Sequence, residues 1–244
     1  MAKTAAKKPA RKNGAKKQAA PRGGRFPNES ANYRSARNAL LKAEVGLRRE
    51  VERVAALRRK LPAGGAVPDD YVFEEIKDGE TRRVKLSELF GDKPTLVVYN
   101  FMYGPTSDAC PMCTSMLDAM DGETKHVFQR VSFAVVAKSP IERIRAYARD
   151  RGWRGLRLLS SAKNSFNRDY FGESADGGQR PMLNVFVKKG GKIHHFYGTE
   201  LLFAPHEAGQ DNRHIDMIWP LWNLLDLTPE GRGKDWRPRL NYGV

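Results

Sequence analysis

An α/β fold, a mixed central sheet flanked by helices, is predicted for this 244-residue sequence by three observations. Two apolar, β-branched runs, Thr95–Met102 and Val131–Ala137, have the composition of buried parallel strands. A helix signal follows each. Met116, Leu117 and Met120 fall at helical spacing after the first run, and Ser139-Pro140 opens a helix to about Arg151 after the second, with proline at the first helical position. The third observation is a β-hairpin, with Met182–Val187 and Ile193–Tyr197 flanking Lys188-Lys-Gly-Gly191.

The remaining elements follow in chain order. Residues 1–25 hold nine Lys/Arg and no acid, which accounts for nine of the net +15 charges. With almost nothing to bury, residues 1–27 are predicted to be a disordered tail. Such a polycation can bind nucleic acid without sequence preference through counterion release, or act only as a solubilising tail. Ser30 is a plausible N-cap for an amphipathic helix within residues 28–62, ending before Pro62 and Gly64-Gly65. Tyr33, Ala36, Leu40, Ala43, Leu47, Val51, Val54, Leu57 and Leu61 form its apolar stripe, along a rod of about 46 Å. Core packing or homodimerisation through residues 30–61 is the expected role. Residues 63–244 then form the main domain. It starts with a short strand at Tyr71–Glu74, a turn at Asp78-Gly79 and a short helix capped by Ser87. Leu156–Ser160 is a further strand. Arg213–Leu225 is a closing helix, with its apolar face on Ile215, Ile218, Trp219, Trp222 and Leu225 and a kink expected at Pro220.

Function concentrates at the two cysteines, Cys110-Pro-Met-Cys113, which sit between the first buried strand and its helix. The helix dipole and free N–H groups favour a Cys110 thiolate, the nucleophile in thiol–disulfide exchange, and Cys113, one turn on, can resolve the mixed disulfide. Three alternatives compete. A zinc site needs about four ligands, and one CxxC supplies two, with no histidine pair at suitable spacing. A structural disulfide closing so short a loop constrains little. Two inert buried thiols would pack as small hydrophobes. No metal and no cofactor are expected. No segment reaches the roughly 18 apolar residues of a membrane span, and the basic N-terminus lacks the apolar core of a secretory signal. The expected compartment is therefore the cytoplasm, and the expected partner a protein or small-molecule disulfide or thiol.

Strand, CxxC, helix, a second βα unit, hairpin and last helix is the order of a thioredoxin-like fold. Such folds place a cis-proline at the start of the strand facing the dithiol. Pro181 is the candidate, with Arg180 before it offering main-chain groups and a cation to substrate. The two are the predicted substrate-binding residues.

A more specific resemblance rests on Phe101-Met-Tyr-Gly-Pro105, Cys110-Pro-Met-Cys113, Asp121-Gly122, Phe133–Ala137, Ser139-Pro140, Gly152-Trp153, Phe166-Asn-Arg-Asp-Tyr170 and Leu225-Asp-Leu-Thr-Pro-Glu-Gly-Arg232. In this order they resemble the bacterial family catalogued as domain of unknown function 899, described as predicted dithiol–disulfide oxidoreductases, from about Tyr33 to Tyr242. The resemblance implies a thioredoxin fold with a redox site at Cys110 and Cys113. Better-known relatives differ. The thioredoxin Trp before the first cysteine is Ala109 here. The buried Asp of the incoming strand is missing, with Asn100 in that region. The peroxiredoxin pattern Pro-x-x-x-Thr-x-x-Cys finds Tyr103 and Ser107. A disulfide reductase, a thiol peroxidase and a non-enzymatic redox-sensing or nucleic-acid-associated binding module all stay open. His195 and His126 are candidate proton acceptors beside the dithiol, and Asp108 would oppose a thiolate if close.

Overall fold

The computed structural model of the chain describes residues 25–208, 218–229 and 236–242. The basic tail up to residue 24 and the Arg213–Met217 part of the expected closing helix lie outside the described residues.

The chain divides into two units, residues 1–59 and 60–244. In the first, helix α1 runs Ala31–Arg59. Ser30 acts as its cap, its Oγ accepting the Tyr33 N–H at 3.1 Å. Residues 25–27, placed in the tail by the sequence, are ordered here by Glu29, whose carboxylate accepts the Phe26 N–H at 3.2 Å and pairs with Arg34. No residue of α1 is buried.

The second unit is built on a seven-stranded sheet. In chain order its elements are β1 (Val72–Lys77), β2 (Glu80–Lys85), α2 (Leu86–Leu89), β3 (Thr95–Asn100), α3 (Pro111–Val127), β4 (Ser132–Ala137) and α4 (Ile141–Arg151). They continue with β5 (Leu158–Ser160), α5 (Phe166–Asp169), β6 (Met182–Lys189), β7 (Lys192–Gly198), a 3₁₀ turn at Glu200–Phe203 and α6 (Pro220–Leu225). The strand order is β2-β1-β5-β4-β3-β6-β7. β3, β4 and β5 are parallel, β6 pairs antiparallel with β3, and β7 with β6. The β4-β3-β6-β7 arrangement, with βαβ crossovers followed by a hairpin, is the thioredoxin-like core that the element order predicts.

The apolar runs have the expected cause. Leu96, Val98, Ala134 and Val136 face one core with Phe73, Phe90, Phe166 and Phe186. Tyr99, Phe101, Phe133 and Val135 face the other with Met116, Leu117, Ile144 and Trp153. A strand covered on both faces needs apolar side chains at successive positions, which the period-2 geometry sends to opposite sides.

Four expectations need correction. β2 was not foreseen, because Glu80–Arg83 is exposed and polar; the strand is held by its pairing with β1 across Asp78-Gly79, whose φ values of 55° and 87° make a tight reversal. Ser87 does not cap α2. Lys85 holds that position, and Ser87 bonds Asp70 instead. Ser139-Pro140 does open α4, but Pro140 is the cap residue and Ile141 the first helical one. Pro220 begins α6 and does not kink it, because a proline's missing N–H costs nothing in a first helical turn.

Candidate functional site

β3 delivers the chain into a loop, residues 101–110, that ends at the N-terminus of α3. Cys110 is the cap residue of that helix, at φ −64° and ψ 122°, and Pro111 occupies its first turn. The loop is closed by the Cys110 N–H donating to the Met102 carbonyl at 3.1 Å. The Cys110 carbonyl accepts both the N–H and the Oγ1–H of Thr114, each at 2.9 Å, and Thr114 Oγ1 is hydrogen-bonded to the Tyr147 hydroxyl at 2.8 Å. The Cys110 sulfur takes the place of a capping oxygen, accepting the Cys113 N–H at 3.4 Å.

The two sulfurs are both free thiols and differ in setting. Cys110 is half-buried. Its thiol is pulled down to about 6 by the hydrogen bond from the Cys113 thiol, against a smaller opposing effect of burial, with the N–H groups of Cys113 and Met112 adding to the pull. Cys113 is only 4% exposed. Its thiol is held well above the ordinary range, first because it donates to Cys110 and second because burial disfavours its charge. Tyr99 is fully buried in the same cluster as Cys113, and its hydroxyl is held well above the ordinary pKa range, first by burial and then by charge at Cys113. That hydroxyl makes no hydrogen bond of ordinary geometry in the resting arrangement.

A cleft of about 540 Å³ opens beside Cys110, between the loop from Met102 to Pro111 and the segment Gly177–Gln179. One loop wall is pinned by Arg143 of α4. Its guanidinium donates to the carbonyls of Gly104 at 2.7 Å, Pro105 at 3.1 Å and Ser107 at 2.7 Å, and lies 4.3 Å over the Tyr103 ring. Ser107 Oγ in turn accepts the Gly104 N–H at 3.0 Å. Asp108 lines the same cleft.

The predicted substrate-binding pair does not take its expected form. No peptide bond among the described residues is cis, so the Arg180–Pro181 bond is trans. The physical reason lies upstream. Glu173 bridges Gln179 and the Arg180 N–H donates to the Gly172 carbonyl at 2.9 Å, so a small antiparallel reversal already aims the chain into β6, and no turn at Pro181 is needed. The Arg180 guanidinium is stacked 3.9 Å over the Phe203 ring. The part of this segment that lines the Cys110 cleft is Gly177–Gln179, and neither Arg180 nor Pro181 is among its lining residues.

The histidines fall elsewhere. His195 is stacked on Tyr170 and bonds Asn184 Oδ1 through Nε2 at 3.0 Å, and burial holds its pKa below the usual value. His126 lies in the last turn of α3, about 24 Å along the axis from Cys110. Asn100 is fully buried and receives Asn184 Nδ2 at 3.4 Å, in a cluster that a side chain at Gly172 would overrun. Among the described residues no three His, Cys, Asp or Glu side chains converge as a metal site would require, and no helix is long and apolar enough to cross a membrane.

Sequence reading missed Tyr99 and Arg143. Tyr99 reads as one more core residue of an apolar strand, and Arg143 as one more cation on an amphipathic helix. The only available signal for Tyr99 was its place one residue before the end of the strand that leads to the dithiol, on the face opposite Asn100.

Comparison with solved structures gives distant likenesses to peroxiredoxin-type proteins. Enterococcus faecalis AhpC is 13% identical, with 72% of this chain and 98% of that one covered and a TM-score of 0.45. Plasmodium yoelii thioredoxin peroxidase I is 16% identical, covering 75% and 100%, with a TM-score of 0.43. Mycobacterium tuberculosis peroxidoxin BcpB is 19% identical, covering 66% and 95%, with a TM-score of 0.41. Comparison with curated proteins gives no match. The model of one family, "Bacterial protein of unknown function (DUF899)", matches residues 24–242, and the chain belongs to that family.

Proposed function

We propose that the chain is a thiol–disulfide oxidoreductase in which Cys110 attacks and Cys113 resolves. The observation that carries this reading is the division of labour between the sulfurs. One faces a cleft at a helix start with its thiol favouring the thiolate, and the other is buried one turn behind it and kept protonated. The Cys110 thiolate attacks a substrate disulfide, forming a Cys110–substrate S–S bond and expelling the first substrate thiolate. Cys113 then attacks the Cys110 sulfur and closes the Cys110–Cys113 disulfide. The second substrate sulfur leaves, taking up the proton that Cys113 gave up. The substrate gains two electrons and the dithiol loses two.

The same Cys110 thiolate would cleave a peroxide in the thiol peroxidase reading. Ser107, three residues before Cys110, stands where the peroxiredoxin pattern has Thr, and its oxygen accepts the Gly104 N–H. Disulfide exchange is the preferred reading because a second thiol, kept protonated, lies one turn behind Cys110. In a Cys113→Ser variant offered glutathione disulfide, mass spectrometry should find a stable glutathione adduct on Cys110. An adduct that forms only on Cys113 in the converse variant would reverse the assignment. Turnover of hydrogen peroxide without any disulfide adduct would favour the peroxidase.

A further inference from the structure

The second half of the exchange poses a physical difficulty. Cys113 must become a nucleophile inside the core, where an uncompensated thiolate is costly. It is 4% exposed and belongs to the buried cluster that includes Tyr99, Phe101, Ala109, Met116 and Leu117. Once Cys110 is tied up in a mixed disulfide it no longer carries the negative charge that holds the Cys113 proton in place. Among the described residues, the groups that shift the Cys113 thiol are Cys110, the Tyr99 hydroxyl and the Met102 backbone, and none is a Lys, Arg or His.

Tyr99 is placed to help. Its ring is fully buried on β3, on the face that α3 covers, and its hydroxyl has no other hydrogen-bond partner. A buried hydroxyl without a partner is a cost that a purely structural site avoids by using phenylalanine. We infer that Tyr99 is the positioning residue of the second step, its hydroxyl donating a hydrogen bond to the Cys113 thiolate as that sulfur attacks Cys110. Burial, and next the negative charge at Cys113, keep the phenol protonated well beyond its usual range, so it serves as a donor and never as a base. The Cys113 proton goes to the departing substrate sulfur. The bonds formed and broken are those of the exchange above, and the inference rests on that reading.

An aromatic disulfide such as dithiobis(nitrobenzoate) reports the two steps separately, because each releases one acidic aromatic thiol that passes its proton to solvent at neutral pH and is coloured as the thiolate. In the unsubstituted chain, two releases are expected from the Cys110–Cys113 pair. Tyr99→Phe should leave the first release unchanged and slow the second by about tenfold to a hundredfold, the effect of losing a hydrogen bond to a charged group. Thermal stability should be unchanged or slightly raised, since the substitution removes an unpaired buried hydroxyl. Two releases with unchanged rates overturn the role of Tyr99. Equal slowing of both releases also overturns it, because loosened packing then explains the result. Absence of the first release in the unsubstituted chain removes the exchange reading itself, and the inference with it.

Discussion

Cys110 and Cys113 are one helical turn apart, yet they belong to different parts of the molecule. Around Cys110 the walls are backbone, with carbonyls collected by Arg143, helix N–H groups aimed at the sulfur and a cleft open to Gly177–Gln179. Cys113 belongs instead to a buried side-chain cluster that includes Tyr99, Phe101, Met116 and Leu117. A polar, partly wet wall can stabilise charge on its sulfur continuously. An apolar wall can do so only through a specific partner. In the proposed exchange, these two settings would split the thiol chemistry into a ready nucleophile and a reserved one, a few ångströms apart along one helix.

The largest expected effect tests that split directly. Thiol alkylation follows the thiolate fraction, so Cys110, with its pKa near 6, should gain reactivity from about pH 5 to 7 and then level off. Cys113, raised above 9, should still be silent over that range. At pH 6 the thiolate ratio exceeds about 500; after the loss of nucleophilicity that accompanies a lower pKa, Cys110 should still react at least about twentyfold faster. Iodoacetamide labelling followed by peptide mass spectrometry measures it. Comparable rates for the two sulfurs would collapse the comparison.

A smaller effect concerns the far part of α3, which keeps Cys113 in the core. The Asp121 carboxylate accepts the N–H groups of Arg154, Gly155 and Leu156 at 2.8–3.1 Å, and a side chain at Gly155 would collide with Thr124. Asp121→Ala strands three donors and should cost about 2–3 kcal/mol, seen as a melting temperature lower by about 5–10 °C. Cys110 alkylation at pH 7 should change less than twofold. A large change there would mean that the two surroundings are not separable.

The smallest effect lies on the cleft side. Arg143→Ala removes four hydrogen bonds to the loop and its Ser139 neighbour. It is partly exposed, so a cost of about 1–2 kcal/mol is expected, with faster amide exchange at residues 104–109. Protection that falls equally at Tyr99 and Cys113 would show that Arg143 supports the whole core and not the cleft wall alone.

Much of this architecture is legible in local patterns. The β3–α3 unit with Cys110 at the helix start, the second βα unit and the Gly190-Gly191 hairpin follow from apolar periodicity punctuated by Pro and Gly, whose effects reach only a few residues. The Asp121-Gly122 and Gly152-Trp153 motifs were visible too, but only as words. Their meaning, Asp121 clamping residues 154–156 and Gly152 ending α4 at φ 78°, needed the packing of α3 against the turn after α4.

The sequence by itself determined the class of fold, the placement of a dithiol at a helix N-terminus and the apolar run that buries β3 on both faces. Tertiary structure alone decided that Tyr99 and Cys113 share one buried cluster, that Arg143 reaches 39 residues back to Gly104, and that Arg180–Pro181 is trans with Gly177–Gln179 beside the thiol. The reason is physical. Helix and strand periodicities are set by neighbours along the chain, whereas the partner of a buried hydroxyl, a guanidinium or a loop carbonyl is whatever the closed sheet brings within about 3 Å.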